Sequence, residues 1–415
     1  MSKETQDIVV VGSGIVGITA ALRLQSLGRS VLVLDRGDGK PRASEMNAGA
    51  FAFSDIEPLA TPGIMRRAPK WLLDPLGPLS IPPRYALKIA PWLLRFWRAS
   101  GADRYRASVT AQADLMQSAQ KALEDLIRDT ATDKLFRREG QLQLYEGERE
   151  YRASLPSWDL RRAYGIDFEL LETPEAIAAF QPGLHPRFTH AGFTPGWINS
   201  CDPARWLGTL TDIFLSRGGR LEKAEIRALS LTETAVRLSG PETETLAGQV
   251  IICAGAWSHQ LAATIGDRFP LETERGYNTT LGAGSFDLRT HLTFPGHGFV
   301  VTRIGDGIRV GGAVELGGLS LPPNYRRAET LLDKAKKFLP ELTGDNGRQW
   351  MGYRPSLPDS LPVIDRSPQD RRVIYAFGHG HLGLTQSAGT AELITHLAGD
   401  TAPPIDLKPF SARRF

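Results

Sequence analysis

The first forty residues alternate between short apolar runs and small or polar segments. An apolar run at residues 8–11 is followed at once by the glycine turn GSGIVG at residues 12–17, by helix-like residues 18–24 and by a second apolar run at 31–34. Short apolar runs bounded by turn signals are typical of buried parallel strands. The pattern therefore predicts strand, turn, helix and strand, with Asp35 at the end of the second strand.

Each glycine of this turn has a physical role in binding a dinucleotide. Gly12 permits the tight turn, Gly14 lets a pyrophosphate approach the backbone, and Gly17 lets the helix pack closely on the strand. The helix N-terminus offers free N–H groups and a positive dipole end to the phosphates. Asp35 lies about 20 residues further on, where a carboxylate meets ribose hydroxyls. The unit predicts a bound dinucleotide, either FAD or NAD.

A second glycine-rich turn, GHGHLGLT at residues 378–385, follows an apolar strand at 373–377 and precedes a helix to about Leu397. Such a turn presents N–H groups and the positive end of a helix dipole. Both would stabilise the negative charge that a flavin gains near N1 and its C2 carbonyl on reduction. NAD would need nothing comparable at this end of the chain. The turn therefore favours FAD, although a purely structural glycine turn is the alternative.

The order of the remaining patterns indicates how the domains are arranged. Helical spacing at 109–129, strand alternation at 141–145 and a run of antiparallel strands at 275–316 lie between the glycine turns, while an apolar strand at 249–254 continues the first unit. We predict an α/β protein in which a Rossmann-like FAD-binding domain is interrupted by an α+β substrate domain with an antiparallel sheet. The expected FAD-binding domain comprises residues 1–62, 196–272 and 346–415, and the substrate domain comprises residues 63–195 and 273–345.

Composition excludes several classes of protein. The formal net charge of +3 is too small to argue for nucleic acid, and no basic run with interleaved aromatics supports it. The two cysteines and eight histidines have no metal-ligand spacing, so we predict no metal and a reducing compartment. The glycine fold begins within a few residues of Met1, which leaves no room for a signal peptide, and no apolar run is long enough to span a membrane. We expect a cytoplasmic protein, with peripheral attachment at the inner face of the membrane left open.

Residues 56–100 are rich in proline, tryptophan and basic side chains. Trp71, Trp92 and Trp97 are interleaved with arginines and lysines, and residues 86–97 predict a short amphipathic helix. This composition suits a membrane-surface patch. The interpretation that we favour is a cover that packs its apolar face on the neighbouring domain, since amphipathic helices usually face a core.

Three polar residues outside the glycine turns are candidates for the site. Arg354 lies between aromatics and prolines, where its guanidinium could bind a carboxylate in a bidentate manner or form a structural ion pair. Tyr277 could place a hydroxyl over the site, although a strand aromatic without a role is the more common outcome. Asn47, in a loop of small residues, could hydrogen-bond the cofactor or belong to an ordinary connection.

These motifs together resemble those of FAD-dependent D-amino-acid dehydrogenases, within the wider group of D-amino-acid oxidases, glycine oxidase and sarcosine oxidases. The resemblance covers nearly the full length. It rests on residues 12–17, 47–49, 275–277, 309–312, 354–355, 358–359, 378–380 and Gly383.

Some segments are more similar to bacterial D-hydroxyproline dehydrogenases. Leu384 stands where general D-amino-acid dehydrogenases tend to carry tryptophan, and Ser360 stands where they tend to carry glycine. Both departures favour the hydroxyproline-like branch. The segments that are similar to D-hydroxyproline dehydrogenases are residues 72–79, 273–277, 350–366, 377–379 and 381–385.

The resemblance implies FAD-dependent oxidative deamination of a D-amino or D-imino acid by hydride transfer from Cα to flavin N5. The expected substrate is cis-4-hydroxy-D-proline or D-proline, and the expected electron acceptor is a quinone or another acceptor rather than O₂. The arginine that matches Arg354 binds the substrate carboxylate in the wider family. We expect Arg354 and Tyr277 to be the catalytic residues, and both of them together with His379 to bind the substrate.

Three alternatives to this function remain open. They are a broad-specificity D-amino-acid dehydrogenase, an oxidase of the glycine or sarcosine type, and a non-catalytic FAD subunit of an electron-transfer complex. All of them retain the cofactor site. Its predicted residues are Gly12, Ser13, Gly14, Ile15, Val16, Gly17, Asp35, Arg36, Asn47, Ala48, Gly49, Ala254, Gly255, Gly380, His381, Leu382, Gly383, Leu384 and Thr385.

Overall fold

A computed structural model describes residues 5–64, 77, 79–344 and 347–415 as a mixed α/β protein. The helices are α1 (Ile15–Ser26), α2 (Ala43–Met46), α3 (Ala86–Ala99), α4 (Ala102–Thr130), α5 (Gly147–Ala163), α6 (Pro174–Phe180), α7 (Pro203–Ser216), α8 (Ser258–Ala263), α9 (Arg326–Phe338) and α10 (Gly383–Gly399). The strands are β1 (Gln6–Val11), β2 (Val31–Asp35), β3 (Ala50–Phe51), β4 (Leu79–Ser80), β5 (Phe136–Arg137), β6 (Gln141–Glu146), β7 (Glu169–Leu171), β8 (Phe188–Thr194), β9 (Ile198–Ser200), β10 (Arg220–Lys223), β11 (Ala228–Leu231), β12 (Val236–Ser239), β13 (Glu244–Ile252), β14 (Glu272–Leu281), β15 (His291–Phe294), β16 (Phe299–Ile304), β17 (Gly307–Leu316), β18 (Arg348–Ser356), β19 (Val363–Arg366) and β20 (Val373–Phe377).

The first sheet has the doubly wound arrangement that the opening pattern predicts. Its main order is β10-β2-β1-β13-β12-β11, and β20 pairs with β13 and β19. The pairs β10–β2, β2–β1, β1–β13 and β13–β20 are parallel, so the carboxyl ends of β1, β2, β13 and β20 lie at one edge. Ligands of such sheets bind beyond this edge. Both predicted glycine turns begin there.

Helices α1 and α10, from opposite ends of the chain, pack against each other beside this sheet. The Thr19 hydroxyl of α1 donates to the Ser387 carbonyl of α10 at 3.2 Å. Helix α4 packs closely on the other side of α10, where a Cβ at Gly389 would lie 2.8 Å from the Cα of Ala119. The helix after the second glycine turn is therefore held firmly in the core.

The second sheet is largely antiparallel, in the order β18-β14-β17-β16-β15-β6-β8-β7, with β4 on β17. Apolar residues of its strands, such as Leu142, Leu292 and Phe299, pack in one core with Leu331 and Phe338 of α9. Asn278 of β14 donates to the carbonyl of Met46, which ends α2, at 2.8 Å. The side of the sheet that carries Asn278 therefore turns toward the cofactor-binding elements.

The observed fold confirms the predicted class, an α/β FAD-binding unit combined with an α+β region that has an antiparallel sheet. Within the antiparallel run predicted at residues 275–316, β16 and β17 form a hairpin. The exact division into two domains stays a prediction. Strand β18, which falls in the 346–415 segment assigned to the FAD-binding domain, pairs with β14 of the antiparallel sheet.

Helix α3 covers part of the antiparallel sheet and also exposes apolar side chains. Ile89 and Trp92 are buried against Leu316 of β17. On the outer side, Leu87 is 92% exposed and Trp97 is 55% exposed. Trp71 and most of the 72–79 motif lie outside the described residues. Among the helices that the structure describes, none is long and apolar enough to cross a membrane.

Candidate active site

The first glycine turn is compressed between β1, α1 and the chain after β13. Gly12 has a φ of +107°, and a Cβ there would lie 2.5 Å from the carbonyl oxygen of Cys253. A Cβ at Gly17 would lie 1.9 Å from the carbonyl oxygen of Gly12. Gly14 is different, because a Cβ there would meet only Ser44 Oγ within 4 Å. The backbone at Gly14 is therefore open to a ligand, as pyrophosphate binding requires.

Asp35 is held at the edge of the sheet by backbone N–H groups. Its carboxylate accepts hydrogen bonds from Ser13 N–H at 2.8 Å and from Gly37 N–H at 2.9 Å. Burial opposes ionisation, but these N–H groups and the guanidinium of Arg42 outweigh it, so the pKa of Asp35 lies below its ordinary value. An ionised carboxylate at this position suits the ribose hydroxyls of a dinucleotide.

The loop of residues 42–50 supplies two side chains that the sequence prediction missed. Arg42 donates to the carbonyl oxygen of Ser13 at 2.8 Å, and Ser44 Oγ accepts the N–H of Ile15 at 2.9 Å. Both therefore lie directly on the phosphate-binding turn. Their position in a loop of small residues was the available signal, but the loop pattern alone does not show which side chains face the turn.

Asn47 uses its side chain to shape its own loop. Its Nδ2 donates to the Ser44 carbonyl at 2.9 Å, and its Oδ1 accepts the N–H of Gly49 at 2.7 Å. Gly49 has a φ of +68°. The Asn47 amide is therefore engaged within its own loop.

Three other predicted cofactor-binding residues, Arg36, Ala254 and Gly255, follow strands β2 and β13. The Arg36 guanidinium lies 3.9 Å from the centre of the Trp257 ring, which links the ends of these two strands. Ala254 and Gly255 follow β13, and Gly255 has a φ of +55°. These residues are placed at the same sheet edge as Gly12 and Asp35.

The second glycine turn joins the end of β20 to α10 and is tied to the antiparallel sheet. Gly380 N–H donates to the Pro355 carbonyl of β18 at 2.7 Å. Helix α10 then begins at Gly383 without a side-chain cap, so its first N–H groups point toward the edge of the sheet. Thr385 Oγ accepts the N–H of Ala52 at 3.0 Å, which links this turn to β3. The uncapped helix start leaves N–H groups free, the feature from which the sequence predicts a flavin-binding turn.

The two histidines of this turn have different surroundings. His379 is buried, its Nε2 lies 3.0 Å from Thr390 Oγ1, and burial lowers its pKa to about 3. His381 is accessible to solvent, yet protein surrounds it closely enough that burial and the charge of Arg354 lower its pKa to about 4. Both histidines line a small cavity, together with Glu57 and Ser360.

The side chain of Arg354 in β18 lies on the same face of the antiparallel sheet as Glu274 and Gly276 of β14. Glu274 is its direct cross-strand partner, and a Cβ at Gly276 would lie 2.3 Å from Arg354 Nη2. The guanidinium thus rests on bare backbone, and its Nη1 donates to the Ala313 carbonyl at 2.9 Å. Burial lowers the pKa of Arg354, and the charge of Glu274 opposes this effect. Glu274 and Gly276 were both missed as site residues.

Tyr277 is not brought together with Arg354. Successive side chains of a strand point to opposite faces, so Tyr277 lies on the other side of β14 from Gly276. Its hydroxyl lies 3.2 Å from Glu315 Oε1 and accepts the N–H of Asn324 at 3.0 Å, and burial helps to raise its pKa to about 12. The structure does not support a direct contact between Tyr277 and a substrate held at Arg354.

Ser360 and Leu384, the two positions at which the hydroxyproline-like branch departs from general D-amino-acid dehydrogenases, have defined contacts in the structure. Ser360 has a φ of +65°, in the region that favours glycine, and its hydroxyl accepts the N–H of Leu59 at 3.1 Å. Leu384 is buried in the first turn of α10, in the core that α1 and α4 share.

The geometry brings together a dinucleotide turn, an uncapped helix start and a desolvated arginine, and comparison with known proteins agrees with this arrangement. Residues 7–397 match the DAO family model, described as FAD dependent oxidoreductase. The chain is 34% identical to a D-amino-acid oxidase of Bradyrhizobium diazoefficiens, over 99% of both chains, and 31% identical to a D-amino acid dehydrogenase of Phenylobacterium zucineum, over 97% of this chain and 96% of that one.

Solved structures show the same fold at low sequence identity. A glycine oxidase from Geobacillus kaustophilus superposes with a TM-score of 0.80 at 19% identity, covering 99% of this chain and 98% of that one. An L-proline dehydrogenase from P. horikoshii superposes with a TM-score of 0.77 at 17% identity, covering 100% and 98%. The chain therefore belongs to the DAO family of FAD-dependent oxidoreductases, and FAD is its cofactor.

Proposed function

We propose that this protein dehydrogenates D-amino or D-imino acids at the Cα–N bond, with cis-4-hydroxy-D-proline or D-proline as the preferred substrate. Its membership of the DAO family and its relatives named for D-amino acids support the reaction class. FAD, when bound, supplies the two-electron acceptor for the hydride that leaves Cα. The observation that carries the proposal is the hydrogen bonding and burial of the Arg354 guanidinium.

Arg354 is poised to bind an anion. Among the described residues its guanidinium donates a hydrogen bond to a neutral carbonyl, that of Ala313, and no carboxylate oxygen lies within 4.0 Å. A guanidinium has five N–H donors, so most of them remain for a ligand. Burial disfavours the charged form, and a bound carboxylate would offset that cost through two parallel hydrogen bonds. The Glu274 carboxylate lies nearby but does not satisfy the guanidinium directly.

The preference for a cyclic imino acid is supported by the resemblance of residues 273–277, 350–366, 377–379 and 381–385 to D-hydroxyproline dehydrogenases. These segments are adjacent in the structure, because β14 pairs with β18, and β18 accepts the hydrogen bond from the turn before α10. Leu384 also occupies less volume than the tryptophan expected in the broad-specificity branch.

Anaerobic reduction of the flavin tests the function directly. Purified holoenzyme is mixed with D- and L-amino acids, and bleaching is followed at about 450 nm. We expect cis-4-hydroxy-D-proline and D-proline to bleach the flavin fastest and their L-enantiomers to have little effect. Bleaching without any partner protein would exclude a non-catalytic subunit. Reduction by no D-amino acid, or only by L-amino acids, would refute the proposal.

The variant Arg354→Leu links the reaction to its proposed carboxylate site. Loss of a charge-assisted bidentate pair should raise KM for D-proline by more than about tenfold. FAD content should remain equal to that of the parent enzyme, since Arg354 lies in β18 of the antiparallel sheet and in neither glycine turn. An unchanged KM would contradict the role of Arg354.

The electron acceptor forms a separate part of the proposal, and we propose a quinone or another acceptor rather than O₂. The relative named as a D-amino-acid oxidase favours the alternative of an oxidase. Stoichiometric H₂O₂ during turnover in air would establish that alternative. A quinone acceptor agrees with a cytoplasmic protein that attaches to the inner face of the membrane through the outer side of α3, which exposes Leu87, Leu94 and Trp97.

A further inference from the structure

The short helix α2 and the residue before it place two side chains on the phosphate-binding turn. Ser44 Oγ accepts the N–H of Ile15 at 2.9 Å, and Arg42 donates to the Ser13 carbonyl at 2.8 Å. A helix of four residues is not stable by itself, because nucleating it costs more than its few hydrogen bonds return. Its start is stabilised locally, since the N–H of Arg42 donates to the Glu45 carboxylate at 2.7 Å. The position of both side chains therefore also depends on what holds the other end of α2.

The end of α2 is held by side chains of the antiparallel sheet. The last carbonyl groups of a helix have no partners within it and need donors from elsewhere. Asn278 of β14 donates to the carbonyl of Met46 at 2.8 Å, and Nη1 of Arg309 in β17 donates to the carbonyl of Asn47 at 2.5 Å. Two consecutive carbonyls are thus bound by two neighbouring strands of the second sheet.

Arg309 is buried and firmly placed within the sheet. Its side chain belongs to a residue that is 5% exposed, and its Nε donates to Oγ1 of Thr280, its direct cross-strand partner, at 2.9 Å. Among the described residues no carboxylate oxygen lies within 4.0 Å of its guanidinium. Burying a charge without a charged partner is costly, and carbonyl groups at the end of a helix carry the partial negative charge that offsets part of this cost. The charge of Arg309 is therefore directed at the end of α2.

We propose that Arg309 and Asn278 are positioning residues for FAD binding. Through them the antiparallel sheet fixes the end of α2, and α2 in turn fixes Ser44 and Arg42 on the phosphate-binding turn. Neither Arg309 nor Asn278 needs to contact FAD for this role. The inference rests on FAD as the cofactor and does not depend on which substrate the enzyme oxidises.

The affinity for FAD tests this role without any turnover. Holoenzyme is diluted stepwise, and the FAD that dissociates is measured by its fluorescence, which gives the Kd for FAD. Loss of the charge-assisted hydrogen bond in Arg309→Met should raise this Kd by at least about tenfold. The matched control is Arg348→Met, since Arg348 is an exposed arginine that is also a cross-strand partner of Thr280. The control should stay within about twofold of the parental Kd, and the same result in Arg309→Met would overturn the inference.

A double-mutant cycle with Ser44→Ala shows whether Arg309 acts through α2. Ser44→Ala should itself raise the Kd for FAD by about fivefold or more. If Arg309 acts through α2, the combined variant should have a Kd within about threefold of that of Arg309→Met, because Ser44 is already displaced. A combined effect equal to the product of the two single effects would overturn the inference, and so would a parental Kd in Ser44→Ala.

Two milder variants keep the test decisive if Arg309→Met does not fold. Asn278→Ser is too short to reach the Met46 carbonyl and leaves the buried charge unchanged, so it should also raise the Kd for FAD, and a parental Kd would overturn the inference. Arg309→Lys keeps the charge and one donor for the Asn47 carbonyl, so its Kd should lie between those of the parent and Arg309→Met. A Kd for Arg309→Lys equal to that of Arg309→Met would contradict the role of this hydrogen bond. An enzyme that binds FAD but that no D-amino acid reduces would refute the proposed function and leave this inference standing.

Discussion

The contact between Gly276 and Arg354 determines where the guanidinium lies, and Gly276→Ala would disturb it. The added Cβ would lie 2.3 Å from Arg354 Nη2 and 2.5 Å from its Cζ. Non-bonded heavy atoms normally stay about 3.5–4.0 Å apart. The guanidinium must therefore move by roughly 1 Å from the backbone of β14.

The cost of this change falls on binding rather than on folding. The guanidinium is the end of a flexible side chain, and alanine suits a strand better than glycine does, so the melting temperature should change little. A displacement of about 1 Å can cost about 10²-fold in activity, and losing one charge-assisted hydrogen bond costs about 1.5–3 kcal/mol. We expect KM for D-proline to rise by about 10- to 100-fold.

Steady-state kinetics with D-proline, together with the Kd for benzoate, measures this effect. The control is Gly208→Ala in α7, where an added Cβ meets no heavy atom within 4 Å. Both variants should retain FAD. A KM within about twofold of the parental value in Gly276→Ala would refute the reasoning that the position of Arg354 sets the carboxylate site.

Three further predictions concern the cofactor turn and the surface of α3. Gly17→Ala places a Cβ 1.9 Å from the Gly12 carbonyl, where rigid backbone cannot yield, so the purified protein should lack FAD; a parental ratio of flavin to protein absorbance would contradict this. The pKa of Asp35 in the folded protein lies below its ordinary value of 3.8, so the ionised carboxylate stabilises the folded state above pH 3.8. This stabilisation is lost as the pH falls through the pKa of the folded state. Asp35→Asn should therefore lower the melting temperature more at pH 7 than at pH values below 3.8, and equal values at pH 7 would contradict the argument. The parent should float with anionic vesicles and the double variant Leu87→Asp with Trp97→Asp should not; a parent that stays in the aqueous fraction would contradict attachment through α3.

The parts of the fold that the sequence predicted well are those set by neighbouring residues. The first unit, from β1 to Asp35, depends on a continuous apolar pattern and on glycines a few residues apart. The second glycine turn and the start of α10 at Gly383 are equally local. Such features follow from backbone geometry within one turn or one strand.

The parts that could not be predicted depend on pairing between distant segments. Gly276 and Arg354 meet only because of the register between β14 and β18, and no local pattern encodes that register. Strand alternation shows that Gly276 and Tyr277 point in opposite directions, but it does not show which of the two faces the cavity. Similarly, His379 and His381 differ by two residues in one turn, and only the packing of α10 makes one buried and the other accessible.

The contact between Thr19 of α1 and Ser387 of α10 has a consequence for the synthesis of the protein. The two residues are 368 positions apart. At about 5–20 residues per second, a ribosome needs roughly 20 to 70 s to make the chain between them. During that interval the nucleotide turn exists without the helix that completes the flavin end, so the nascent chain cannot form the whole FAD site. Cofactor capture is therefore a late event in the life of each molecule, and the cellular supply of FAD acts on nearly finished chains.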